Sequence, residues 1–79
     1  MTPGDLLEEV KRQGSQYLMC AELAKRINLP DAEALYLFAS KQLGLLINTG
    51  LAWHGQAANA AAHDATEIVR AHNADLHNS

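Results

Sequence analysis

Residues 21–50, AELAKRINLPDAEALYLFASKQLGLLINTG, decide how this chain is read. They hold a short amphipathic segment, a break at Asn28-Leu29-Pro30, a longer segment of helical periodicity, and an apolar run bounded by glycines. Pro30 closes the first segment, because proline pushes the residue before it out of the helical region. Asp31 can cap the next helix and Glu33 falls in its first turn, where carboxylates meet the positive end of the helix dipole. Leu35, Phe38, Ala39 and Leu43 make the expected inward stripe, which leaves Tyr36, Leu37, Ser40 and Lys41 on or near the other side. Gly44 fits a helix stop. Asn48-Thr49-Gly50 has turn chemistry, since Asn and Gly accept positive φ, so Leu45-Leu46-Ile47 and Leu51-Ala52-Trp53-His54 are expected to pair as a β-hairpin. The rival reading carries the helix straight through Gly44 to Asn48 as an all-helical hairpin, because an interior glycine costs only about 1 kcal/mol against alanine.

Upstream, Thr2 can cap a helix with Pro3 at its first position and Asp5 in its first turn. Leu6, Leu7 and Val10 form its apolar stripe, Lys11 and Arg12 lie near its negative end, and Gly14 is the natural stop. Ser15 to Met19 either opens the second helix or runs extended before it. That second helix carries Cys20, Leu23, Ala24 and Ile27 at helical spacing, with Lys25 and Arg26 outside. Downstream, residues 56–79 are alanine-rich and strongly helix-forming, and Asp64-x-x-Glu67 could cap a second start within them. Ala58, Ala61, Ala65, Ile68, His72 and Leu76 share one face of that helix. The expected architecture is mainly α: three short helices with a small β-hairpin, plus a C-terminal Ala-rich helix. Residues 1–55 form the core and residues 56–79 belong to the same domain.

With 79 residues the chain supports one domain with one small core, a size at which stability is often marginal without staples or oligomerisation. Hydrophobic residues make up 48% of the chain and aromatics only 5%, which excludes disorder and leaves the core to aliphatic side chains. One cysteine excludes an intrachain disulfide, and nothing resembles a signal peptide or the roughly 20-residue apolar run of a membrane span. The expected location is cytoplasmic. Net charge is −3 and unevenly placed. Up to Pro30, Asp5, Glu8, Glu9 and Glu22 balance Lys11, Arg12, Lys25 and Arg26, whereas beyond it only Lys41 and Arg70 face five acids.

Tyr17 to Gly50 resembles the winged helix-turn-helix superfamily: an AELAKR-type helix, a turn ending in NLP, a second helix, then LGLL leading toward a wing. The resemblance covers under half of the chain and identifies a superfold. It implies that the helix from Asp31 to Leu43 is a recognition helix entering the major groove, that Asn48-Thr49-Gly50 is the wing tip, and that the C-terminal helix makes a homodimer. The helix departs from the pattern by opening with Asp31 and Glu33 and carrying Lys41 as its only base.

Tyr36, Leu37, Ser40, Lys41, Lys25, Arg26, Asn48 and Thr49 are accordingly the expected DNA- or partner-contacting residues. Ala58, Ala61, Ala65, Ile68 and Leu76 are the expected dimer face. The function this implies is a dimeric DNA-binding transcriptional regulator of phage or bacterial type. The alternative is a winged-helix-like protein–protein interaction module, such as an inhibitor or adaptor from a phage or mobile element. His63 with Glu67, and His72, Asp75 and His77, do not match a metal-ligand motif, so no metal and no cofactor is expected. Cys20 lies on an inward stripe and reads as core. No nucleophile with base and orienting group, and no phosphate-binding loop, is recognisable, which points away from an enzyme.

Overall fold

A computed structural model describes residues 2–78. Three helices follow one another: α1 (Pro3–Arg26), α2 (Pro30–Thr49) and α3 (Ala52–Asn78). Gly14 lies opposite Ser40 and Tyr17 opposite Tyr36, while Tyr36 meets Thr66 and Gln42 meets His54. Residue numbers fall along α2 as they rise along its neighbours, so α2 runs antiparallel to both. It packs on both, whereas α1 and α3 scarcely touch. The result is an elongated body of 48 × 19 × 17 Å.

The helix ends follow from local chemistry. Thr2 Oγ1 accepts from the Asp5 N–H and the Thr2 N–H donates to Asp5 Oδ2, a reciprocal capping box with Pro3 at the first position. At the other end of α1, Asn28 takes φ 62°. The N–H groups of Leu29 and Asn28 donate to the carbonyls of Ala24 and Lys25, closing the helix as a Schellman motif with asparagine at the left-handed position. Gly50, at φ 71°, ends α2 by donating its N–H to the Leu46 carbonyl.

The β-hairpin expected from Leu45 to His54 does not form; no strand occurs among the described residues. α2 continues through Gly44 to Thr49, and Trp53-His54 belongs to the first turn of α3, so Asn48 and Thr49 lie in the last turn of a helix and not at a wing tip. The positive φ expected at Gly50 is present, but it serves a helix end. Likewise α1 passes unbroken through Gly14 and Ser15, and α3 through Asp64 and Glu67. A lone glycine removes about 1 kcal/mol of helix propensity, and packing along the whole length of α2 outweighs that loss.

The core is built mainly from small side chains. Ala21, Ala24, Ala32, Ala39, Ala58, Ala61, Ala62 and Ala65 are buried, joined among the described residues by only two larger apolar side chains, Tyr36 and Leu43. Phe38, expected to point inward, is 44% exposed, while Tyr36, expected outside, is buried. Ala39 and Leu43 point inward as expected, but the buried face of α2 also takes in Ala32, Tyr36 and Gln42 in place of Phe38, because it must serve two neighbours. Small residues let the helices approach closely: at Gly55 an added Cβ would stand 3.3 Å from Leu46 Cδ2.

Candidate interaction surface

An alanine core leaves the large apolar side chains outside. Leu6, Leu7, Leu18, Met19 and Leu23 of α1 and Ile27 at its C-cap are all exposed, as are Leu37, Phe38 and Ile47 of α2 and Leu51 and Trp53 around the start of α3. Single exposed leucines are ordinary on protein surfaces, but contiguous apolar ground is not. Two such areas stand out.

The first is a groove between α1 and α2. Leu7, Val10, Lys11, Gly14 and Leu18 line it from α1, and Ser40, Leu43, Gly44 and Ile47 from α2. No α3 residue lines it. Its floor is held at a fixed depth by Ser40 Oγ, which donates to the Gly14 carbonyl at 3.0 Å. Gly14 and Gly44 add no side chain to its walls, so an incoming backbone can approach both helices. The second area lies on the C-terminal half of α1 and its cap, where Met19, Leu23 and the C-cap residue Ile27 recur every four residues. It borders a cleft lined by Cys20, Ala24, Tyr36 and Val69.

Charge is arranged around these areas in a simple way. Arg12 bridges Glu9, Arg26 pairs with Glu22 at 3.7 Å, and Arg70 pairs with Glu67 at 3.1 Å. The bidentate contact with Glu9 raises the Arg12 pKa further, by hydrogen bonding first and by charge second. Lys11, Lys25 and Lys41 have no carboxylate partner among the described residues. Lys11 lines the α1–α2 groove, whereas Lys41, next to Ser40 in sequence, does not line it.

The residues expected to contact DNA or a partner are distributed unevenly. Leu37, Lys41, Lys25 and Arg26 are exposed, and so are Asn48 and Thr49 at the end of α2, where Thr49 Oγ1 donates to the Leu45 carbonyl. Ser40 is committed to Gly14. Tyr36 is 7% exposed, with its ring tilted against Tyr17 and its hydroxyl on Thr66. Ala58, Ala61 and Ala65, expected to meet a second copy, are buried within the single chain. Ile68 is half-buried beside them, and Leu76 is 63% exposed on the same stripe. Thr66 stands opposite Tyr36, six residues into α2, yet α3 continues twelve residues past Thr66. The C-terminal turns of α3 therefore outrun α2.

Sequence reasoning missed the groove, because its two walls belong to helices read as broken at Gly14 and Gly44. It also missed the pairing of buried Gln42 with His54 Nδ1, at 2.6 Å. Among the described residues no three His, Cys, Asp or Glu side chains gather as a metal site, and no helix is long and apolar enough to cross a membrane.

No known protein family matches this chain, and neither a curated protein nor a solved structure does.

Proposed function

We propose that this chain is a non-enzymatic, cytoplasmic interaction module that receives an amphipathic helix of a partner protein in the groove between α1 and α2. The observation that carries this reading is the groove itself, an apolar trough open along two helices with an unpartnered lysine on its wall. Helix-in-groove recognition uses apolar anchors spaced three or four residues apart, and a trough of this kind takes one such helix as the fourth member of a bundle. Lys11 favours an occupant with a carboxylate beside its apolar stripe. The regulator reading is supported less: it drew on a wing and on an outward Tyr36, and the fold supplies neither.

The test is titration with two synthetic helices that share one leucine stripe, one flanked by glutamate and the other by lysine. The acidic helix is expected to bind, the basic one at least about tenfold more weakly, and Leu18→Glu or Ile47→Glu should abolish binding while leaving helicity intact. Failure of both helices to bind overturns the reading. Enrichment of a sequence from a random duplex DNA pool at low salt, lost on replacing Lys11, Lys25 and Lys41, would restore the regulator in its place.

A further inference from the structure

We propose that the exposed stripe at the C-terminal end of α1, Met19 and Leu23 with the C-cap residue Ile27, is the interface with a second copy of this chain, paired antiparallel about Leu23. This surface is separate from the α1–α2 groove, and the inference stands whether or not that groove binds a partner. Met19, Leu23 and Ile27 are 67%, 57% and 44% exposed. A spacing of four places them in one row on a helix, and the row ends where the chain turns at Asn28. Toward the N-terminus the same face becomes charged at Arg12 and Asp5, so the apolar row has a defined length and no continuation.

The rim of the row identifies the occupant. Glu22 and Arg26 stand on one side of it and with Met19 and Leu23 enclose a shallow apolar depression. In an antiparallel pair, the two-fold axis lies across the helices and keeps each rim on its own side. Met19 then faces Ile27 of the second copy, Leu23 faces its equivalent, and Glu22 comes within reach of Arg26 from the other chain, twice by symmetry. A parallel pair would instead set Glu22 and Arg26 against the opposite rim, where Gln16 and Cys20 offer no charge. The surface is thus complementary to itself in one orientation. Within one chain the Arg26–Glu22 contact is long, at 3.7 Å, and both side chains are more than half exposed, so both are available to the partner's charges. Stable interfaces remove roughly 800 Å² from each partner, more than three side chains supply, so the dimer is expected to dissociate in the micromolar range.

Sedimentation velocity over a concentration series of the full chain tests this. The unmodified chain should shift from monomer to dimer, and Leu23→Glu should remain monomeric at all concentrations with unchanged helical circular dichroism. Met19→Glu serves the same purpose if Leu23→Glu loses helicity. Glu22→Arg alone should weaken association about tenfold, and Glu22→Arg with Arg26→Glu should recover it to within about threefold. A chain that stays monomeric at every concentration, or a dimer indifferent to both glutamate substitutions, overturns the interface. Failure of the double exchange to recover association overturns the antiparallel pairing.

Discussion

The Tyr36 hydroxyl lies 2.9 Å from Thr66 Oγ1, and Thr66 Oγ1 in turn donates to the Ala62 carbonyl at 2.8 Å. Thr66 has one proton and gives it to Ala62, so Tyr36 must be the donor to Thr66. This chain of two hydrogen bonds fixes the middle of α2 to α3 at the level where Tyr17 packs on the other side of the same ring. One side chain thereby joins all three helices, in a core otherwise made mostly of alanine.

Tyr36→Phe keeps the ring and removes only the donor, and should cost about 1 kcal/mol. Tyr36→Ala opens a cavity and should cost about 3–5 kcal/mol, enough to unfold a marginal domain. A double-mutant cycle in urea with Tyr36→Phe and Thr66→Val should show positive coupling; independent effects would contradict the pairing.

The continuous α2 makes opposite predictions at two glycines. A Cβ on Gly44 meets nothing within 4 Å, so Gly44→Ala should stabilise the chain by about 1 kcal/mol. Gly50 has equal space but a φ of 71°, so Gly50→Ala should destabilise it by about 1–2 kcal/mol. Chemical denaturation reads both signs, and a destabilising Gly44→Ala would mean the helix stops there.

Gln42 is buried, and its carbonyl accepts from His54 Nδ1 across the α2–α3 contact. His54→Ala strands that carbonyl and should cost about 1–3 kcal/mol, whereas the combined His54→Ala, Gln42→Leu change should recover much of the loss. Thermal melting of the two variants distinguishes a stranded polar group from simple loss of packing.

Burial raises the Tyr17 phenol above its ordinary pKa, with Cys20 and Tyr36 adding smaller contributions and the Gln13 hydrogen bond opposing. A raised folded pKa means that folding favours the protonated phenol. Its contribution is whole below the unfolded value of 10.0 and is lost as pH rises through the higher folded one. Urea midpoints measured from pH 9 to 11 should therefore fall more steeply for the unmodified chain than for Tyr17→Phe. Equal slopes would remove the linkage.

Where the helices start and stop was legible in part from sequence alone. The Thr2-Pro3-Asp5 cap, the break before Pro30 and the positive φ at Gly50 each depend on residues within a few positions of one another, and local chemistry was sufficient for them. Gly14 and Gly44 carry the same local signal as Gly50 but lie inside helices, because contacts with a neighbouring helix offset a propensity loss of about 1 kcal/mol. The choice between Phe38 and Tyr36 for the core was also tertiary. The spacing around them allows either side chain inward, and α2 turned Tyr36 in because Thr66 could receive its hydroxyl while Tyr17 met its ring. Composition had determined that the core would be poor in aromatics. Only the packing of α2 between two helices decided that alanines would fill it, leaving the leucines of α1 on the surface.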